Sequence, residues 1–249
     1  MNILVNGIGG FMGREVAKLC EVGYRGAALF AGVDLNGGEG SCPVYHSLSE
    51  LPSADGIDCI VDFSHHTATP ELLGYAVKNR LPVVLCTTGH TPEELAVIKD
   101  AAKKIPLFFS ANMSVGVALL VELAKTAALA LPDAEIEIVE QHHDRKIDAP
   151  SGTALMIANA LTEVRPEAYA TTGRSGQGKR TKEEIGIHAI RMGNIVGIHE
   201  VMIGTQNQTI TLKHEAHSRA LFAEGALAAA AFLVGKGEGL YDMKSLLGK

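Results

Sequence analysis

The feature that most constrains the fold is a glycine-rich turn between an apolar strand and a helical pattern, close to the start of the chain. Residues 2–6 (NILVN) have the composition of a short buried strand, and the turn GIGGFMGR follows directly over residues 7–14. Gly7, Gly10 and Gly13 allow a tight turn, close approach of the backbone to a pyrophosphate, and packing of the helix on its strand. The pattern predicts a βαβ unit that binds a dinucleotide.

The second strand of this unit, predicted over residues 27–33, ends at an acidic residue. Asp34 follows the turn at about the twenty-residue spacing at which a carboxylate accepts hydrogen bonds from ribose hydroxyls. Leu35 and Asn36 come next, so no basic side chain directly follows to pair with a 2′-phosphate. The residues therefore favour NAD over NADP, while Arg14 at the first helical turn keeps NADP open as an alternative.

Strands and helices alternate after a loop-rich connection. The predicted strands are residues 59–63, 83–86 and 107–110, and the predicted helices are residues 70–79 and 91–103. This alternation indicates a parallel sheet with helices on both faces, in which ligands bind at the carboxyl ends of the strands. We therefore expect the segments Asp62–His66, Cys86–Gly89 and Ser110–Met113 to line the cofactor site. His65 and His66 are expected to cap the following helix rather than to take part in chemistry.

The pattern changes after a long apolar helix predicted over residues 115–131. Three β-rich runs follow, at residues 184–192, 195–203 and 208–214. Their short connections predict an antiparallel meander, and the alanine-rich run at residues 218–234 predicts a helix that returns to the first domain. The basic, glycine-rich segment at residues 171–181 is either a surface loop or a substrate lid.

The predicted fold class is therefore α/β with two domains. Residues 1–112 and 218–249 are expected to form a Rossmann-type domain with a parallel sheet. Residues 113–217 are expected to form an α+β domain with a mixed sheet.

A dense set of ionisable residues follows a predicted strand at residues 134–141. Ile136 and Ile138 are expected on one side of this strand, with Glu135, Glu137 and Glu140 mostly on the other. Four basic or titratable side chains come directly after it, namely His142, His143, Arg145 and Lys146. They provide groups that donate protons and fixed positive charges.

The same stretch ends in a predicted helix start. Pro150 disfavours helix at the preceding residue, Ser151 is a suitable N-cap, and Gly152 and Thr153 would present backbone N–H groups at the positive end of the helix. Such an end binds a carboxylate or phosphate. The stretch is therefore suited to a small anionic substrate that needs a proton.

Charge and cysteine content disfavour several other classes. The chain carries 22 basic and 28 acidic residues, and it has no basic run of the kind that binds nucleic acid. Its apolar stretches are too short to span a bilayer, and its start lacks a signal-peptide pattern. The four cysteines stand singly, which is typical of reduced thiols and a cytoplasmic protein, with neither a disulfide framework nor a metal site expected.

Five motifs together resemble the 4-hydroxy-tetrahydrodipicolinate reductase family over essentially the whole chain. They are the turn ending in MGR at residues 12–14, CTTG at 86–89, SANMSVGV at 110–117, HHDRKIDAPSGTA at 142–154 and HSR at 217–219. The resemblance implies reduction of a small cyclic dicarboxylate by hydride from NAD(P)H in lysine and diaminopimelate biosynthesis. It also implies a homotetramer that associates through the strands of the second domain.

The resemblance further implies roles for individual residues. His142 matches a proton donor or acceptor and Lys146 a proton donor, while His143, Gly152 and Thr153 match substrate-binding positions. The matching cofactor contacts are Gly7, Ile8, Gly9, Gly10, Phe11, Met12, Asp34, Cys86, Thr87, Thr88, Ser110, Ala111, Asn112 and Met113. NADH is expected as the preferred cofactor, with NADPH as a second one.

The chain departs from the family pattern at three positions. Many members have glycine in place of Cys86, phenylalanine in place of Met113 and a basic residue in place of Leu35. The first two departures alter the expected packing around the nicotinamide, and the third bears on the choice of cofactor.

Two other classes of protein fit the sequence less well. A metal-dependent hydrolase would draw its ligands from six histidines: His142, His143, His188, His199, His214 and His217. These lack the i, i+4 helical spacing of a zinc protease. A non-catalytic NAD sensor would have the glycine turn without proton donors, and the intact HHDRK block argues against it.

Overall fold

The computed structural model describes residues 1–37 and 41–248. Residues 38–40, which belong to the predicted loop-rich connection, and Lys249 lie outside the described residues. The chain divides into two compact units. One unit comprises residues 1–114 together with the segment that begins at Ala220, and the other comprises Val115–Arg219.

The first unit begins with alternating strands and helices. In chain order these are β1 (Asn2–Asn6), α1 (Phe11–Glu21), β2 (Ala28–Val33), β3 (Val44–Tyr45), β4 (Cys59–Asp62), α2 (Thr69–Asn79), β5 (Val83–Leu85), α3 (Pro92–Ala102) and β6 (Pro106–Phe109). The second unit follows with α4 (Val115–Ala130), β7 (Glu135–His142), α5 (Gly152–Val164), β8 (Tyr169–Thr172), β9 (Glu184–Arg191), β10 (Gly197–Gly204) and β11 (Thr209–Ala216). The chain then returns to the first unit with α6 (Ala220–Leu233), β12 (Gly239–Tyr241) and α7 (Met243–Leu246).

The sheet of the first unit is parallel throughout, as predicted. Its strand order is β12-β6-β5-β4-β1-β2-β3, and each neighbouring pair runs parallel. The connection from β1 leads to β2 on one side, whereas β4 lies on the other side. The order therefore reverses at β1, and in sheets of this kind the ligand crevice lies at that reversal, beyond the carboxyl ends of the strands.

Helices cover both faces of this sheet. Leu4 and Ile60 belong to a buried cluster with Leu72 of α2 and Ile98 of α3. The residues that alternate with them, such as Val5, are also fully buried, so the opposite face is covered as well. There, α6 contacts α1 and the strands β4, β5 and β6.

Local sequence explains where several of these helices begin. Thr91 caps α3, because its side chain accepts from the N–H of Glu94 while the Glu94 carboxylate accepts from the N–H of Thr91. His65 caps the single-turn 3₁₀ helix at His66–Ala68 by accepting from the N–H of Thr67. The predicted capping role of His65 is confirmed.

The sheet of the second unit has a different order from the one predicted. Its strands lie in the order β11-β10-β7-β9-β8. β7 is antiparallel to β10 and parallel to β9, so only β10 and β11 form a hairpin. The predicted meander of three consecutive strands is therefore wrong, because β7 lies between β9 and β10 and hydrogen-bonds to both.

Burial explains the central position of β7. Ile136 and Ile138 are fully buried in a cluster with Ile157 of α5 and Val201 of β10. A strand with these apolar residues is best covered when it pairs on both edges and packs under helices α4 and α5.

The segment predicted as a surface loop or a substrate lid, residues 171–181, begins in regular structure. Thr171 and Thr172 belong to β8, which pairs with β9.

Candidate active site

The glycine turn after β1 is held by backbone hydrogen bonds to the end of β2. The N–H groups of Gly7 and Ile8 donate to the carbonyl oxygen of Val33 at 2.8 and 3.2 Å, and Gly7 has a φ of +80°, which favours glycine. A Cβ at position 13 would lie 2.1 Å from the carbonyl oxygen of Gly7. Gly13 is therefore required for α1 to approach the turn this closely.

Asp34 lies beside the turn, directly after β2. One of its carboxylate oxygens accepts from the N–H of Gly9 at 3.0 Å, and the other accepts from the N–H of Asn36 at 3.0 Å. A Cβ at Gly9 would come within 2.8 Å of the carboxylate. Each oxygen retains a second lone pair, which can accept a hydrogen bond from a ribose hydroxyl. Leu35 is 86% exposed and offers no charge.

A cavity of about 290 Å³ adjoins the turn and Asp34. Its lining residues are Asn6, Gly7, Gly10, Val33, Asp34, Leu35, Asn36, His46, Ser47, Leu48, Phe63, Ser64, His65, Thr67, Ala68, Glu71 and Leu72. Phe11 and Met12, the other predicted cofactor contacts here, open α1 next to the turn. The arrangement fits a pyridine nucleotide, because the glycines leave room for a diphosphate at the start of a helix and Asp34 presents its carboxylate to the cavity.

A buried carboxylate links the ends of three strands near this cavity. Asp62 accepts from the Asn6 amide at 2.7 Å, the Ser64 hydroxyl at 2.6 Å and the Thr87 hydroxyl at 2.6 Å. Burial raises the pKa of Asp62 in spite of these hydrogen bonds. The cluster holds Thr87, a predicted cofactor contact, against the end of β4.

The other predicted cofactor segments also lie after strands of this sheet. Cys86 and Thr88 line a second cavity of about 300 Å³, with Phe63, Ser64, His65, His66 and Thr87. Burial raises the pKa of the Cys86 thiol well above its ordinary value, so this thiol is protonated near neutral pH. The segment Ser110–Met113 follows β6, and its Ser110 hydroxyl donates to the carbonyl oxygen of Asn112 at 2.8 Å. Ser110–Met113 lines neither cavity, as far as the described residues show.

In the second unit, the predicted proton-transfer residue His142 ends β7 and contacts a buried glutamate. Its Nδ1 lies 2.6 Å from Oε2 of Glu140, and the Glu140 side chain is fully buried. Arg191 of β9 donates from two nitrogens to the two oxygens of Glu140, each at 2.8 Å. The backbone N–H of Ser151 also donates to Glu140, at 2.9 Å. Although burial alone would raise the pKa of Glu140, these hydrogen bonds lower it below its ordinary value.

The start of α5 lies against the same carboxylate. Ser151 is the N-cap, as predicted, and its hydroxyl oxygen accepts from the N–H of Ala154 at 3.2 Å. Gly152 and Thr153 are the first two residues of the helix, and Gly152 is exposed. The first N–H groups of a helix have no carbonyl partner within it, so this end is suited to an anion.

The loop between β7 and α5 carries the other predicted site residues. Lys146 Nζ lies 2.8 Å from a carboxylate oxygen of Asp148, and the N–H of Lys146 donates to the carbonyl oxygen of His143. The N–H of His143 donates to Ile195 at 2.8 Å, which fixes the loop to the segment before β10. The Asp148 carboxylate thus orients the Lys146 side chain.

His142 and His199 are neighbours in this region, and burial lowers the pKa of both. The rings of His142 and His199 are 5.2 Å apart and nearly perpendicular. Burial lowers the pKa of His142, with Glu140 opposing the shift and Lys146 and Arg191 adding to it. Burial and nearby His142 lower the pKa of His199 to about 4, so His199 is neutral near pH 7. Its Nε2 lies 3.0 Å from the Ser151 hydroxyl.

The predicted position of Glu140 on β7 is wrong. The sequence pattern predicts Glu140 mostly on the side away from Ile136 and Ile138, yet its side chain is fully buried. The physical reason is strand periodicity: positions 136, 138 and 140 have the same parity and therefore share a face. This shared parity was the sequence signal that could have predicted the burial of Glu140. Arg191 and His199 carried no local signal as partners of this site, because they reach it only through the pairing of β9 and β10 with β7.

Neither a membrane-spanning helix nor a cluster of metal ligands occurs in the part of the chain that the structure describes. Within residues 1–37 and 41–248, no helix combines the length and the apolar character needed to cross a bilayer. Nor do three or more His, Cys, Asp or Glu side chains of those residues come together in an arrangement that could hold a metal ion.

Comparisons with known proteins agree over the whole chain. A family model described as dihydrodipicolinate reductase, N-terminus, matches residues 1–113, and one described as dihydrodipicolinate reductase, C-terminus, matches residues 116–247. The protein named 4-hydroxy-tetrahydrodipicolinate reductase from Caldanaerobacter subterraneus subsp. tengcongensis is 45% identical, over 100% of this chain and 99% of its own. The protein of that name from Clostridium tetani is 42% identical, over 99% and 97%.

Solved structures show the same similarity. Dipicolinate-bound dihydrodipicolinate reductase from Paenisporosarcina sp. TG-14 aligns with a TM-score of 0.83 at 25% identity, over 97% of each chain. A probable dehydrogenase from Thermotoga maritima aligns with a TM-score of 0.62 at 12% identity, over 99% of this chain and 92% of its own, which shows a shared fold. The family resemblance seen in the motifs is confirmed.

Proposed function

Because the chain belongs to the dihydrodipicolinate reductase family of NAD(P)H-dependent oxidoreductases, we propose that it reduces 4-hydroxy-tetrahydrodipicolinate to tetrahydrodipicolinate. This reaction is a step of lysine and diaminopimelate biosynthesis. The observation that carries the proposal is the convergence of His142, the Lys146 loop and the start of α5 around Glu140. That convergence supports a site in which proton donors lie beside an anion-binding helix end.

We assign cofactor binding to the first unit. The contacts would come from the turn Gly7–Met12, from Asp34, from Cys86–Thr88 and from Ser110–Met113. When bound, the reduced nicotinamide supplies the hydride. Asp34 accepts from ribose hydroxyls and repels a 2′-phosphate, since like charges disfavour each other and Leu35 offers no compensating charge. NADH is therefore the preferred cofactor, with NADPH as a second one.

We assign substrate binding to the second unit. The N–H groups at Gly152 and Thr153, together with His143, hold the carboxylates of the cyclic dicarboxylate and orient its ring. Reduction consumes one hydride and one proton, and loss of the 4-hydroxyl group releases water. Lys146 or His142 supplies the proton, and both lie in the same charged cluster.

The dipicolinate bound in the Paenisporosarcina structure is a small cyclic dicarboxylate, which supports this substrate class. We also propose that the chain forms a homotetramer through the strands of the second unit. Its mass in solution, measured by light scattering, tests that assembly; a monomer of 26.3 kDa would contradict it.

The decisive experiment is a coupled assay. A synthase condenses aspartate semialdehyde with pyruvate to supply the unstable substrate, and oxidation of NADH or NADPH is followed by absorbance. Turnover that depends on the synthase and on both of its substrates is expected. Absence of turnover with either cofactor, from a protein that is folded by circular dichroism, would overturn the proposed function.

A further inference from the structure

The most unusual buried group in the second unit is the Glu140 carboxylate. It is fully removed from solvent, yet it accepts from Arg191 twice, from His142 and from the backbone of Ser151. A buried charge is costly unless it is paired and hydrogen-bonded. The donors satisfy Glu140, and each of them belongs to a different part of the candidate site.

We propose that Glu140 is a positioning residue for the reduction, with Arg191 as its counterion. The carboxylate holds the ring proton of His142 on Nδ1, which leaves Nε2 without one, and it ties the start of α5 in place through Ser151. This inference rests on the proposed function for the step that Glu140 assists. The arrangement itself is testable without any turnover.

The ring proton of His142 is assigned by hydrogen-bond chemistry. A neutral imidazole carries one N–H, and an ionised carboxylate only accepts. Nδ1 of His142 lies 2.6 Å from Oε2 of Glu140, so Nδ1 is the donor and Nε2 is the acceptor. In a protonated ring Nδ1 remains bound to Glu140, and only the proton on Nε2 can be exchanged with a ligand.

Arg191 makes this assignment stable. Its two nitrogens bind both oxygens of Glu140 in the bidentate geometry that favours an ionised carboxylate. The nitrogen that binds Oε1 also donates to the carbonyl oxygen of Asp148 at 2.6 Å, and the side chain of Asp148 binds Lys146. One ion pair thus links His142, the start of α5 and the loop that carries Lys146.

Four charged or titratable groups surround His142. They are Glu140 on β7, Arg191 on β9, His199 on β10 and Lys146 in the loop. Glu140 is the only one of these four that favours the protonated ring; Lys146 and Arg191 disfavour it, and so does burial. Loss of the Glu140 charge would therefore lower the pKa of His142 further.

The first test replaces the carboxylate by an amide of the same shape. Glu140→Gln is expected to lower kcat about 10- to 100-fold, by analogy with the cost of removing the carboxylate that orients a metal-binding histidine, and to leave the KM for NADH within about twofold of wild type. The limb of the pH profile of kcat that follows the titration of His142 should move to lower pH, which a purely structural role of Glu140 would not cause. Either wild-type kcat or an unmoved limb would overturn the proposal.

Glu137→Gln is the matched control. Glu137 lies on the same strand and its carboxylate binds His188 Nε2 at 2.9 Å, so it loses the same kind of contact outside the candidate site. Wild-type kcat and an unmoved pH profile are expected for this variant. An equal fall in kcat in both variants would show a general effect on the sheet and overturn the proposal.

The second test reads the ring proton directly in the unsubstituted protein. In a sample with ¹⁵N-labelled histidine, the His142 signals, identified by their loss in His142→Gln, should show a protonated Nδ1 and an unprotonated Nε2 at neutral pH. A proton on Nε2 would overturn the proposal even if the enzyme is active. The expected pattern in a protein without reductase activity would uphold the arrangement and reject the proposed function alone.

Discussion

The glycine turn of the first unit and the Glu140 cluster of the second are built in opposite ways. The turn is made by backbone, within a few consecutive residues, and its specificity comes from side chains that are absent: a Cβ on Gly13 would lie 2.1 Å from a backbone oxygen. The cluster is made by side chains that come from distant positions, with Glu140 and Arg191 separated by 51 residues. A site of the first kind fails when atoms are added, and one of the second kind fails when charges are removed.

The largest expected effect is in the second unit, where removal of proton-transfer groups should stop the chemistry. His142→Ala and Lys146→Ala should each lower kcat by about two to four orders of magnitude, because a positioned proton donor contributes that much to the transition state. NADH affinity, measured by fluorescence titration, should stay near wild type, since neither residue belongs to the unit assigned to the cofactor. Near wild-type turnover in either variant would remove that residue from the mechanism.

Acid should destabilise the protein at the Glu140 cluster of the second unit, through His199. The pKa of His199 is lowered from 6.5 to about 4 in the folded protein. Between pH 6.5 and pH 4 the unfolded chain therefore binds a proton at this residue that the folded protein does not bind. The free energy of unfolding should therefore decrease as the pH falls from 6.5 to 4, by about 2–4 kcal/mol from this group.

His199→Gln retains a polar partner for Ser151 without titrating in this range. Urea denaturation at a series of pH values should show a shallower dependence on pH in this variant than in wild type. Equal slopes would mean that His199 is protonated in the folded state.

One methyl group added to the glycine turn of the first unit should lower both stability and NADH affinity. Gly13→Ala forces apart the backbone at Gly7 and Ile8, which should cost about 1–3 kcal/mol of stability and lower NADH affinity about tenfold or more. Gly74→Ala is the control, because its Cβ meets no atom within 4 Å and alanine favours the helix by up to about 1 kcal/mol. Thermal unfolding and NADH titration measure both quantities, and equal behaviour of the two variants would contradict the close contact at Gly13.

A positive charge added beside Asp34 should change the selectivity between NADH and NADPH. Leu35→Arg places a cation beside Asp34, at a position that is 86% exposed, and should shift the ratio of kcat/KM towards NADPH by about one to two orders of magnitude. Leu240→Arg, in the strand β12 at the far edge of the same sheet, should leave the ratio unchanged. A wild-type preference for NADPH, or an unmoved ratio in Leu35→Arg, would remove this strand end as the selectivity determinant.

The smallest expected effect tests the helix end beside the Glu140 cluster. Thr153→Val keeps the shape of the side chain and removes its hydroxyl, so the KM for the dicarboxylate should rise about tenfold, as for loss of a hydrogen bond to a charged group. The KM for NADH should not change. An unaltered KM for the dicarboxylate would place the carboxylate contact elsewhere.

The contrast between the two regions also explains what could be predicted from the sequence. The turn at Gly7–Gly13, the parallel sheet and the Ser151 cap follow from neighbouring residues, whose spacing is visible in one dimension. The partners of Glu140 depend on β7 lying between β9 and β10, which is a choice among pairings that the local pattern leaves equivalent. Short connections favoured a meander, and burial of the apolar face of β7 decided against it.

The discontinuous first unit has a consequence for the order in which the protein is made. β1 and the glycine turn are synthesised before the second unit, but α6, which contacts α1 and three strands of the same sheet, is encoded after the whole of the second unit. At a synthesis rate of roughly 5–20 residues per second, the roughly 200 residues between the turn and Ala220 delay α6 by about 10–40 s. The glycine turn thus emerges from the ribosome before the second unit, whereas the first unit, which contains the turn, is completed only after the second.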